Sequence, residues 1–244
     1  MAKPFLVLQL RPEDQAADDE FAAILRFGGL DVVDAHRVRM EKEDIPTVDL
    51  DDYAAVIIGG GPSNVSDTEE TKPIEQRRFE AQLRPLMAEI VERDFPFLGA
   101  CYGIGVLAQA LGGKVSKKHG EGVGAVELTL TKEGEQDPLM QGSSSPFKAF
   151  AGHKEACEGV PPGAVVLVSS AACPVHMIRT KSNVYATQFH PELDNYGLEV
   201  RINLYKHAGY FPPEDADMLI AAGHKEQVSV PMEILKRFVE RYRG

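Results

Sequence analysis

Three residues stand where their types could do nucleophilic chemistry: Cys101, His190 and Glu192. Cys101 lies in Phe97-Leu98-Gly99-Ala100-Cys101-Tyr102-Gly103-Ile104-Gly105. The apolar run ending at Ala100 predicts a buried strand. Ile104, Leu107, Ala108 and Leu111 predict one face of a helix that stops at Gly112-Gly113. A cysteine between them sits at a sharp strand-to-helix turn with small neighbours, its side chain held above the sheet edge in the manner of a nucleophile elbow. The positive end of the helix is expected to lower the thiol pKa. His190 falls in Gln188-Phe189-His190-Pro191-Glu192. Pro191 biases His190 to an extended backbone, and Glu192 can bond one ring nitrogen and leave the other facing a nucleophile. Together the three make a nucleophile, a base and its orienter. The backbone N–H groups of Gly61, in the turn Gly59-Gly60-Gly61-Pro62-Ser63-Asn64, and of Tyr102 would form an oxyanion hole. Such donors contribute on the order of 3 kcal/mol each.

The same residues admit plainer readings. Free cysteines usually pack as small hydrophobes, and that reading is taken for Cys157 and Cys173. A Gly-rich turn is often only a loop. Gly103, Gly105 and Ala108 spell a dinucleotide fingerprint, but in mid-chain, and an acidic residue some twenty positions on (Glu121 or Glu127) is common in an acidic chain. Tyr210-Phe211-Pro212-Pro213 fits either a docking surface or a helix end.

Composition narrows the class. The 244 residues are 43% hydrophobic and 26% charged, enough for a sizeable core, and the net charge of −11 argues against nucleic acid or an anionic membrane as partner. Three cysteines are too few for a disulfide framework and fit a reducing cytoplasm. No apolar run approaches a membrane span, and no signal-peptide cleavage site follows Phe5–Leu10. The histidines at 36, 119, 153, 176, 190, 207 and 224 lack zinc-type spacing, and Gly113-Lys114 is no Walker motif, so neither metal nor cofactor is expected.

The elements that must position the triad follow in order. Strands are expected at 5–10, 31–34, 53–58 and 95–100, with helices at 13–26 and 72–93 between them. This alternation implies a doubly wound, mainly parallel α/β sheet, whose ligands bind at the carboxyl ends of the strands. Short strands at 123–130, 147–150, 165–169, 175–179 and 184–189 add a β-rich half. Helices at 193–208, 214–222 and 231–242 close the chain. Residues 1–244 read as one domain, with a core over 5–192 and a helical extension over 193–244.

At Gly99-Ala100-Cys101-Tyr102-Gly103, Gly60-Gly61-Pro62 and Gln188-Phe189-His190-Pro191-Glu192, the chain resembles the class I, triad-type glutamine amidotransferases. Cys173-Pro174-Val175-His176 and Ala151-Gly152-His153 match the stand-alone group similar to the amidotransferase domain of GMP synthase. The resemblance implies a flavodoxin-like three-layer sandwich that hydrolyses the side-chain amide of glutamine, with nucleophile Cys101, base His190, orienter Glu192 and oxyanion donors Gly61 and Tyr102. Gly60, Gly105, Gly152 and His153 are then expected around the substrate. If the ammonia is used, its acceptor is a separate synthetase. Gly105 stands where relatives carry a substrate-holding glutamine, and Gly152-His153-Lys154-Glu155 replaces a common His-Gly-Asp. The open space expected at Gly105 favours a rival, a hydrolase of γ-glutamyl amines or peptides. A non-catalytic binding relative is a second rival, and a nucleotide-cofactor enzyme a third.

Overall fold

The computed structural model describes residues 3–244. From the amino end the order is β1 (Phe5–Gln9), α1 (Asp14–Gly28), β2 (Ala35–Arg39), β3 (Ala55–Ile58), α2 (Ile74–Arg93), β4 (Phe97–Ala100) and α3 (Tyr102–Ala110). Next come β5 (Val115–Ser116), β6 (Glu121–Leu130), the short α4 (Lys132–Glu135), β7 (Phe147–His153), β8 (Ala156–Cys157), β9 (Ala164–Ser169), β10 (Met177–Thr180) and β11 (Val184–Thr187). The chain closes with α5 (Asn195–Tyr205), α6 (Ala216–Gly223) and α7 (Val230–Tyr242).

Nine strands form one sheet in the order β2-β1-β3-β4-β11-β10-β9-β6-β7. The first five run parallel, and β10, β9, β6 and β7 extend the sheet antiparallel. Alternation along the buried strands divides the core between two faces. Leu6, Leu8, Val56 and Ile58 pack under Phe79, Leu83 and Met87 of α2 and Ile104 and Leu107 of α3. Phe5, Val7, Ile57 and Leu98 pack under Ile24 of α1 and Ile234, Phe238 and Val239 of α7. The result is the doubly wound sheet the alternation implied, in the three-layer sandwich the resemblance implied. The core does not stop at residue 192, because α7 shares a layer with α1. In a smaller cluster, Leu198 and Ile202 of α5 pack on Phe150.

One strand is displaced from its expected place. Residues 32–34 form a single 3-10 turn, and the strand follows it at Ala35–Arg39. Asp31 and Asp34 bond each other's backbone N–H groups in a capping box, a local alternative to sheet pairing. Val33 is left 87% exposed, while the more polar Ala35–Arg39 serves as an edge strand. Asp94 ends α2 in the left-handed region, so β4 starts at Phe97 instead of Phe95.

The register delivers the site. β1, β3, β4 and β11 are parallel neighbours, so Arg11, Gly59–Gly61, Cys101 and Gln188–His190 all leave the sheet at one edge. Thr187 is paired with Ala100, and this brings a segment some ninety residues away beside the cysteine.

Candidate active site

Cys101 occupies the bend between β4 and α3 with φ 51° and ψ −90°. A non-glycine residue held at positive φ stores backbone strain, which the surroundings must impose. Here the Cys101 N–H donates to Thr187 O at 2.7 Å, and Gly99 lets the helix start close on the strand: a Cβ there would stand 2.8 Å from the Gly103 carbonyl carbon. The side chain faces a pocket bordered by Arg11, Gly61, His190, Arg201, Tyr205 and Tyr210, with apolar walls from Val123, Leu193, Leu198, Ile202 and Phe211. Gly60 fills the narrow point. A Cβ on it would collide with His190 Cε1 and stand 3.2 Å from Cys101 Cβ and 3.1 Å from Arg11 Nη2, so imidazole, thiol and guanidinium converge where only glycine fits. Among the described residues, the Gly61 and Tyr102 N–H groups meet no protein acceptor.

His190 Nδ1 lies 2.9 Å from Glu192 Oε1. With a carboxylate as acceptor, Nδ1 carries the proton and Nε2 the lone pair. Behind them runs a buried chain of charge. Glu192 Oε1 accepts from Arg201 Nη2 at 2.8 Å, Arg201 stands 3.7 Å from Glu20, and Glu20 pairs with Arg11 Nε at 2.6 Å. Gln9 Nε2 bonds Glu20 Oε1. Two arginines and two glutamates balance without a charged imidazole. Burial holds His190 below its ordinary value, against the raising pull of Glu192. Burial alone would raise Glu192, but His190 and Arg201 beside it hold its carboxyl well below the usual range. Burial also pushes the Cys101 thiol up to about 12, partly opposed by Arg11. Enclosure thus pulls against the lowering expected from the helix end.

The family model described as "Glutamine amidotransferase class-I" matches residues 29–197. The chain belongs to this family. It is 31% identical over 163 residues to a GMP synthase [glutamine-hydrolyzing] from Streptomyces coelicolor, covering 65% of this chain and 28% of that protein. It is 29% identical over 234 residues to a Clostridium novyi enzyme of the same name, covering 90% of this chain and 42% of the relative. The chain therefore spans less than half the length of either relative. A glutamine amidotransferase from Thermotoga maritima has the same fold, with a TM-score of 0.78 at 20% identity over 99% of both chains.

Within the class I frame, several residues differ from expectation. Gly105 opens no space: a Cβ there would stand 2.9 Å from Val65 Cγ2 and 3.7 Å from Glu155 Oε1. The Glu155 carboxylate is itself held by Val65 N at 2.6 Å, Ser66 N at 3.0 Å and the Ser66 hydroxyl. The argument from lost bulk at Gly105 therefore falls. Gly152 borders the pocket, and His153 lines a smaller adjoining cavity with Cys101 and Tyr102, though its ring nitrogens are engaged. Its Nδ1 lies 3.0 Å from Glu155 O, its Nε2 lies 2.9 Å from Glu121 Oε2, and the residue is 4% exposed.

Tyr210 and Phe211, expected at a helix end or a docking surface, instead wall the pocket beside Cys101. Lys154 Nζ stands 4.2 Å from the Tyr210 ring and donates to Ala208 O at 2.7 Å. Arg11, Glu20 and Arg201 escaped the sequence reading. Arg11 had one signal, its place just past the end of a buried strand. Glu20 and Arg201 sit among apolar helix neighbours with nothing in their spacing to mark them.

Proposed function

We propose that the protein hydrolyses the side-chain amide of glutamine through a thioester on Cys101. The observation that carries this is the strained Cys101 meeting His190 across Gly60, with the imidazole tautomer fixed by Glu192. As the amide carbon approaches, the thiol proton passes to His190 Nε2 and sulfur adds to the carbon. The oxygen becomes an anion held by the N–H groups of Gly61 and Tyr102. His190 then gives the proton to the leaving nitrogen and ammonia departs. Water, deprotonated by the same nitrogen, opens the thioester to release glutamate and restore the thiol. Glu192, kept ionised by Arg201, stabilises the imidazolium in both halves of the cycle.

Relatives named GMP synthase are more than twice this length, and another chain of the same fold is a PurLQS structure from Thermotoga maritima (TM-score 0.61). These support ammonia delivery to an acceptor synthetase. A second reading has one observation in its favour: the apolar wall of Leu193, Leu198, Ile202 and Phe211 beside Cys101 suits the amine part of a γ-glutamyl amide. Glutamate release from glutamine, compared with amine release from γ-glutamyl alkylamides, separates the two. Either requires Cys101, so a Cys101→Ala protein that still releases glutamate would remove both.

A further inference from the structure

Away from the pocket, Glu121, His153, Cys173 and His176 bring one carboxylate oxygen, two imidazole nitrogens and one sulfur together, all within 4.8 Å of one another. From this juxtaposition we propose a closed zinc site that ties the start of β6 and the end of β7 to the loop after β9.

The hydrogen bonding around His153 supports it. Its Nδ1 faces the carbonyl of Glu155, which can only accept, so Nδ1 bears the proton. Its Nε2 faces Glu121, itself an acceptor, at 2.9 Å. In the neutral ring that nitrogen bears a lone pair, and a cation between it and the carboxylate satisfies both. An imidazole that donates its far N–H to a backbone carbonyl is the usual outer support of a metal ligand. His176 Nε2 points at the same Glu121 oxygen from 2.6 Å, and its buried Nδ1 has no partner among the described residues. The other Glu121 oxygen accepts from the Ser170 hydroxyl at 3.0 Å, which orients the carboxylate. Cys173, fully buried, supplies a soft donor.

Two imidazoles, a thiolate and a carboxylate are a donor set that suits Zn²⁺, with bonds of roughly 2.0–2.3 Å. The carboxylate oxygen need only retreat from the two imidazoles by roughly half an ångström. Binding the metal displaces the Cys173 thiol proton to solvent, at the loss of its long contact to Val175 O (3.6 Å). Four protein ligands leave no open position, so the role is structural. The sites are adjacent: Gln188 N donates to His176 O at 2.7 Å, and His176 stacks on Phe189, next to His190.

The test begins with the whole protein stripped by chelator, dialysed against Zn²⁺ and then against metal-free buffer. One retained equivalent of zinc with a raised Tm is expected. X-ray absorption should give one sulfur and three nitrogen or oxygen neighbours. Cobalt loading should give a thiolate charge-transfer band that survives Cys101→Ala and disappears in Cys173→Ser. Less than a tenth of an equivalent retained overturns the site. So does a zinc shell holding no sulfur, a result that needs no variant to fold. A cobalt band unchanged in Cys173→Ser also overturns it. Metal content and absorption are read without turnover, so failure here leaves the glutamine-hydrolysis proposal standing.

Discussion

Cysteine, histidine and glutamate meet twice in this molecule, and the two meetings are wired in opposite ways. At the pocket, Glu192 takes His190 through Nδ1, leaving Nε2 free on a ring that flanks Gly60 together with Cys101, and Arg201 neutralises the carboxylate from behind. In the interior, Glu121 takes His153 and His176 through Nε2, and Cys173 has no exposure. The residue types are the same, but one arrangement leaves a ring nitrogen free beside a thiol that borders the pocket, while the other turns both Nε2 atoms on one carboxylate oxygen away from the pocket. Ring orientation and access, more than composition, separate a site for chemistry from a site for holding.

Exchanging equivalent residues breaks or sharpens the contrast. Cys101→Ala is expected to lower glutamate release by on the order of 10⁴-fold or more, whereas Cys173→Ala leaves kcat intact and lowers Tm; equal losses in kcat would erase the distinction. Next in size are the carboxylates. Glu192→Gln loses the group that holds the tautomer and strands Arg201, so kcat should fall by about 10²–10⁴-fold. Stability should fall by about 3 kcal/mol, since removing one partner of a buried pair leaves an unbalanced charge. Glu121→Gln should change Tm and leave kcat within a few fold, which steady-state kinetics and thermal melts on the same preparations would resolve.

The pH dependence follows from the same wiring. His190 is held below its ordinary 6.5 by burial, so the neutral base persists below that value, and kcat/KM should show its acid limb below pH 6.5. Because the thiol is pushed up to about 12, no thiolate limb is expected at neutral pH, and the free enzyme should react slowly with iodoacetamide there. A fast alkylation titrating near pH 6 would mean a resting thiolate–imidazolium pair. The folded state gains from Glu192, held below the ordinary carboxylate range by His190 and Arg201 beside it. That gain is complete above the unfolded-state value of about 4.3 and is lost as pH falls through the folded value. Chemical denaturation at pH 7 and pH 4 should therefore show a drop in acid, reduced in Glu192→Gln.

Legibility in the sequence followed locality. Cys101 was marked by the small residues a sharp bend needs, and His190 and Glu192 by the proline between them. The doubly wound sheet was marked by strand–helix alternation. Arg11, Glu20 and Arg201 were hidden because their pairing depends on three elements meeting, and no short-range rule places a buried arginine opposite a glutamate 181 residues away. The interior cluster was hidden for the same reason, although Cys173-x-x-His176 is half of a metal-type pattern. Val32-Val33 misled in the other direction: apolar character predicted a strand, and two aspartate side chains decided for a turn.

The smallest effect is expected at Gly105, and it examines the loop that joins the two clusters. Glu155 bridges them, its carbonyl facing His153 of the interior and its carboxylate holding the backbone of Val65 and Ser66 beside the pocket. A methyl group at position 105 would meet Val65 Cγ2 at 2.9 Å. Because α3 is packed on the sheet, Val65 must yield, and Glu155 with it. Gly105→Ala should therefore cost about 1–2 kcal/mol, the usual scale of overpacking, despite the gain in helix propensity that alanine brings. KM should rise with little change in kcat, since Cys101 and His190 keep their supports. If Gly105→Ala instead raises Tm, Val65 moves freely and the loop does not couple the two clusters. If kcat falls while Tm holds, the residue at 105 acts on the reacting groups themselves, and the separation of chemistry from scaffolding drawn between the clusters would have to be redrawn around α3.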